Sequence, residues 1–201
     1  MATSLIYRSG AGYELAMMAL YGRHYADRYR AIADLIPPGA DVLELCCGPG
    51  VLYERYLRQK GIRYRGLDMN EKFVKRLAAR GIPAECRDLR NERAFPPADY
   101  VVMQASLYHF WPDAGPMLDR MLAAARRTVI LAEPIRNLAC SGLPLVAYLS
   151  RKLTDPGSGP QAARLTEKNL DELVGRHGQM LRQAFLAPGG REKIYMFDKG
   201  A

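Results

Sequence analysis

The sequence predicts an α/β protein: a doubly wound, mostly parallel sheet with helices on both faces and an antiparallel hairpin at its carboxyl end. Three observations predict it. Short apolar runs of strand length alternate with segments of helical spacing from residue 42 to residue 131. The first run, Val42-Leu43-Glu44-Leu45, breaks into Cys46-Cys47-Gly48-Pro49-Gly50, and Val51, Leu52, Tyr56 and Leu57 then follow helical spacing. The chain closes with two strand-like runs, 180–186 and 193–198, around Pro188-Gly189-Gly190.

The 201 residues suit one well-buried domain and are too few for two of ordinary size, so 1–201 reads as a single domain. Apolar content of 49% and charged content of 25% fit a globular chain. The start, Met1-Ala2-Thr3-Ser4, has no basic segment followed by an apolar core. No apolar run reaches the length of a bilayer span, which predicts a cytoplasmic protein. The formal charge of +8 raises nucleic acid or an anionic membrane as partners. However, Lys and Arg are dispersed, and Arg23, Arg28 and Arg30 alternate with Tyr and Asp on a helical pattern. That reads as a solvated basic face, and nucleic acid is not an expected partner. Cysteines are Cys46, Cys47, Cys86 and Cys140. The vicinal pair cannot bridge without strain, and no C-x-x-C spacing points to zinc, so reduced thiols and no metal are expected. A monomer and a homodimer are both compatible with the sequence.

Taken in order, residues 12–36 form one or two helices, ended by Pro37-Pro38-Gly39. Tyr7, Tyr13, Tyr21, Tyr25 and Tyr29 crowd this region, 1–38. Two roles fit them: core packing, or a cover over a ligand. The glycine turn after the first strand presents free backbone N–H groups at a helix start, which suits a charged or polar ligand. Glu44 lies inside an apolar run, where an unpaired charge is costly, so its carboxylate should face that ligand through a water or an ammonium group. Tyr64-Arg65-Gly66-Leu67-Asp68 is the second strand, and Asn70 caps a helix with Phe73, Val74 and Leu77 facing in. Asp68 lies about twenty residues past the turn, the distance at which nucleotide-binding units place a carboxylate on ribose hydroxyls. The third strand is expected over 82–89, ending in Asp88, and the fourth over 98–104, ending in Gln104. A helix over 115–125 and a fifth strand over 127–134 follow, which leaves Glu133 and Arg136 at the strand's carboxyl edge. Segment 137–165 is an insertion able to cap a substrate pocket, and 143–149 could touch a membrane surface. Thr166 caps the last helix.

Glu44-Leu45-Cys46-Cys47-Gly48-Pro49-Gly50 resembles the first motif of class I S-adenosylmethionine (SAM)-dependent methyltransferases: an acid, an apolar residue, then Gly-x-Gly-x-Gly. Cys46 stands where the first glycine usually is. The resemblance implies a Rossmann-like fold, SAM as cofactor with S-adenosylhomocysteine as product, no metal, and a small-molecule acceptor methylated on O, N or C. It implies that Glu44, Cys46, Gly48, Gly50, Asp68, Met69, Asp88, Leu89 and Gln104 bind the cofactor, with Gln104 near its amino-acid end, Asp68 on the ribose, and Asp88 and Leu89 on the adenine. Leu107-Tyr108-His109-Phe110 is similar to the Leu-x-His-Phe stretch common in small-molecule methyltransferases. By that likeness Tyr108 and His109 are the catalytic candidates, His109 as a general base or as a structural histidine. Tyr13, Tyr25, Trp111, Glu133 and Arg136 are the candidate substrate pocket. Two other classes remain. One is a SAM- or nucleotide-binding module without turnover. The other is an RNA methyltransferase, favoured by the charge but opposed by Gln104-Ala105-Ser106-Leu107, which departs from the Asn/Asp-Pro-Pro-Tyr type.

Overall fold

A computed structural model describes residues 10–135 and 166–200. Seven strands form one sheet in the order β3-β2-β1-β4-β5-β7-β6. They are β1 (Asp41–Leu45), β2 (Arg63–Asp68), β3 (Ala84–Cys86), β4 (Ala98–Gln104), β5 (Ala125–Pro134), β6 (Leu181–Leu186) and β7 (Glu192–Asp198). The first five run parallel, and β7 pairs antiparallel with both β5 and β6. Parallel strands covered on both faces need apolar residues on both faces. Accordingly, Val42, Leu43, Leu45, Val101, Val102 and Met103 are all fully or almost fully buried.

Helices α1 (Gly10–Tyr21) and α2 (Tyr25–Ala33) share one core with Val42, Tyr64, Val102, Ile130 and Leu77 of α3 (Glu71–Ala78). Helices α4 (Ala114–Ala124) and α5 (Glu167–Gly175) cover the opposite face with Leu43, Val101, Leu131 and Phe197. Tyr21, Tyr25 and Tyr29 are buried in the first of these cores. Asn70 caps α3 by accepting the Lys72 N–H at 3.1 Å, and Thr166 with Asn169 forms a reciprocal capping box on α5. Directly after the glycine turn the chain winds as a π-helical turn, Tyr53–Leu57. Chain direction through the sheet reverses between β1 and β4, which opens a crevice at their carboxyl ends.

Two expected boundaries differ. The third strand is confined to Ala84–Cys86 at the sheet edge. Pro83 has no N–H to pair, and after the Arg87 N–H bonds the Asp68 carbonyl at 2.9 Å the chain turns at Asp88. Ala125 opens β5 instead of closing the preceding helix. Arg136, Cys140, the 137–165 insertion and its 143–149 stretch lie outside the described residues. Among the described residues no helix is long and apolar enough to cross a membrane.

Gly66 of β2 lies opposite Glu44 in the register and is needed for space. A Cβ there would stand 2.7 Å from both Cys47 Sγ and Tyr64 Oη. Gly66→Ala should therefore destabilise the fold by about 1–3 kcal/mol, read from chemical denaturation midpoints. An unchanged midpoint would show that Tyr64 and Cys47 yield freely.

Candidate active site

The crevice is shaped by backbone at the ends of β1 and β4. Cys46 at φ 55° and Ala105 at φ 51° both hold left-handed conformations that cost a side-chain-bearing residue about 1–2 kcal/mol. Hydrogen bonding holds each in place. The Cys47 N–H bonds the Leu67 carbonyl at 3.1 Å, and the Ala105 N–H bonds the Ala132 carbonyl at 2.7 Å. Asp68 closes the loop: Oδ2 accepts the Gly48 N–H at 2.7 Å and Oδ1 accepts the Asn70 N–H at 2.8 Å. Burial raises its pKa, and these two backbone bonds oppose that rise.

Glu44 is buried, and its Oε2 accepts the Tyr64 hydroxyl at 2.7 Å. Removal from water pushes its pKa up to about 8, against the lowering effect of the Tyr64 bond. Burial pushes the Cys46 and Cys47 thiols well up as well. Arg28, Tyr29, Glu44, Cys46, Gly48 and Gln104 line one cavity here.

Other expected residues have different surroundings. Glu133 is completely buried behind the loop after β4 and is not among the residues lining this cavity. Its Oε1 accepts the N–H groups of Ser106 and Leu107, each at 2.7 Å, and burial pushes its pKa to about 8. Its carboxyl oxygen therefore serves the loop's orphaned donors. Tyr108 and His109 occupy the short 3-10 helix Leu107–Phe110, half-buried, with ring centroids 4.0 Å apart. Trp111 follows, half-buried against the α4 face. Tyr25 is not among the residues lining the cavity: its hydroxyl donates to Glu14 at 3.2 Å and its ring meets Tyr29 edge-on. Asp88 grips the Arg90 guanidinium through both oxygens, which lowers its pKa, and Leu89 is buried. Met69 is 59% exposed. The Tyr13 side chain and Arg136 lie outside the described residues.

Arg28 and Glu192 were not among the expected site residues. Arg28 reads from sequence as part of a solvated face, yet it is 2% exposed and ion-paired through Nη2 to Glu192, itself 1% exposed. Glu192 also accepts the Tyr21 hydroxyl at 2.8 Å and the Gln104 Nε2–H at 3.1 Å. The signal was present: Arg28 is in helical step with Tyr21, Tyr25 and Ile32, and so falls on the buried stripe. No group of three or more His, Cys, Asp or Glu among the described residues could hold a metal ion.

The sheet order, with β7 set antiparallel between β5 and β6, is the Rossmann-like arrangement shared with solved SAM-dependent methyltransferases. Residues 26–136 match the family described as methionine biosynthesis protein MetW, and the chain belongs to that family. Trans-aconitate 2-methyltransferase of Mycobacterium tuberculosis is 40% identical over 81 residues, which is 39% of this chain and only 30% of that relative. Among solved structures, magnesium protoporphyrin IX methyltransferase from Synechocystis PCC 6803 with bound SAH superposes with a TM-score of 0.67 at 19% identity, covering 96% of this chain and 88% of that one. A TehB-like SAM-dependent methyltransferase from Corynebacterium glutamicum gives 0.64 at 17%, covering 94% and 96%. These two likenesses establish the fold.

A carboxyl whose pKa rises on folding adds stability at pH values below its unfolded pKa and loses it as pH climbs through the folded value. Glu44 rises from 4.5 to about 8, so the ligand-free protein should lose stability across that window. Glu44→Gln should flatten the fall of Tm with pH, leaving the share due to Glu133. A slope equal to wild type would mean that Glu44 titrates normally in the fold.

Proposed function

We propose that this chain transfers the methyl group of SAM to an O, N or C nucleophile of a small-molecule acceptor. The observation that carries the reading is the cavity at the switch point, where the Asp68-braced glycine turn meets Glu44 and Gln104. A Cβ placed on Gly48 would meet nothing within 4 Å, so a ligand can approach that backbone closely. The MetW family match and the short match to a small-molecule methyltransferase support the same reading.

In this reading Asp68 keeps its two backbone bonds and uses remaining acceptor capacity for the ribose hydroxyls. Met69 covers the adenine, and Asp88 with the Leu89 N–H reads its edge once Asp88 shares or releases Arg90. Glu44 complements the ammonium group of the methionine part, and Cys46, Gly48, Gly50 and Gln104 shape the space around it. When bound, SAM supplies an already electrophilic methyl group. The protein therefore mainly orients the acceptor in line and excludes water. Tyr108 and His109 stand on the loop where the acceptor arrives, His109 as proton acceptor for a nucleophile that carries a proton. Trp111 borders the acceptor.

Asp68→Ala should weaken S-adenosylhomocysteine binding by about tenfold or more in calorimetry, since each charge-assisted bond is worth roughly 1.5–3 kcal/mol. Unchanged affinity would remove Asp68 from the site. For His109, single-turnover rate against pH decides the role. If it acts as base, His109→Gln slows the step by about two to four orders of magnitude and abolishes the inflection near neutrality, with SAM affinity nearly intact. A flat wild-type profile matched by the variant would leave it a structural residue.

A further inference from the structure

The cavity wall carries a carboxyl group, Glu44 from β1, and a guanidinium group, Arg28 from α2. Such a pair complements an amino acid's ammonium and carboxylate groups together. We propose that Glu192 is a positioning residue that sets Arg28 as the anchor for the cofactor's α-carboxylate, so that the pocket selects a ligand with an intact amino-acid end. This rests on the SAM reading above.

The geometry around Glu192 is built for placement. It stands at the first position of β7, opposite Pro134 in the register, and gathers donors from α1, α2 and β4: Tyr21, Arg28 and Gln104. Two of those three, Arg28 and Gln104, line the cavity. The Arg28 guanidinium is also stacked, 4.0 Å from the Tyr21 ring centroid and 5.0 Å from that of Tyr29, which fixes the plane of its fork. An ion pair this deeply buried is weak as a source of stability, because an apolar pair of similar volume commonly does as well. It does supply a desolvated, oriented cation at a ligand site. A planar guanidinium matches a carboxylate with two parallel bonds and has donors enough to serve two carboxylates. Gln104, held by the same carboxylate, presents its amide beside it. The hairpin turn reinforces the arrangement: a Cβ on Gly189 would stand 2.8 Å from the His24 ring, so the turn seats directly on the start of α2.

The test compares two ligands on the full chain by calorimetry. S-adenosylhomocysteine carries the amino-acid end, and 5′-methylthioadenosine keeps the adenosine and thioether without it. Glu192→Gln should weaken S-adenosylhomocysteine by about tenfold or more while 5′-methylthioadenosine stays within about twofold of wild type. Equal losses for both ligands would reduce Glu192 to a structural role, and no loss for S-adenosylhomocysteine would overturn the proposal outright. If Glu192→Gln fails to fold, Arg28→Lys keeps the charge against Glu192 but removes the fork. The same selective loss is then expected, and equal or absent losses overturn the proposal. A wild type that binds neither ligand overturns the cofactor reading, and this inference with it.

Discussion

The site depends on one hydrogen bond, from the Gly48 N–H to the Asp68 carboxylate. It joins the carboxyl ends of two neighbouring parallel strands, and it holds a loop whose entry residue, Cys46, lies in left-handed backbone. Without that tie the turn would keep its strained conformation on backbone hydrogen bonds alone, from the Cys47 N–H to Leu67 and from the Gly50 N–H to Cys47. Beneath it, Glu44, Tyr64 and Cys47 fit together because Gly66 has no side chain. Backbone shape at the ligand face and packing under the sheet are therefore set by the same few residues.

Buried acids surround the crevice although the chain is formally +8. Glu44, Asp68, Glu133 and Glu192 are each less than a tenth exposed. They are held in three ways: Glu44 by a neutral hydroxyl, Asp68 and Glu133 by backbone N–H groups, and Glu192 by a cation, a phenol and an amide. Burial favours the neutral form of Glu44, Asp68 and Glu133, and their hydrogen-bond partners oppose it. The basic character belongs to the surface, where many guanidinium groups pair with nearby acids. It does not describe the site.

The sequence by itself determined the strand and helix order, the glycine turn, the acid at the end of β2, and the terminal hairpin. These follow from local periodicity, backbone needs of glycine, and side-chain capping, all of which act over a few residues. Asn70 and Thr166 are caps in the structure as their spacing requires. The edge strand β3 was legible only in its middle, because its length depends on a neighbour on one side and on Pro83.

Only the tertiary structure decided where the charges go. Arg28 and Glu192 meet across 164 positions of sequence, and no local pattern announces such a pair. Glu133 stands at the strand end where the sequence puts it, but folding turns its carboxylate to the backbone of Ser106 and Leu107. Asp88 likewise keeps its place while its oxygens are taken by Arg90. The physical reason is common to all three. A residue's position along the sheet follows from local hydrogen bonding, whereas the partner of a charged side chain is whichever group the packed fold brings within reach.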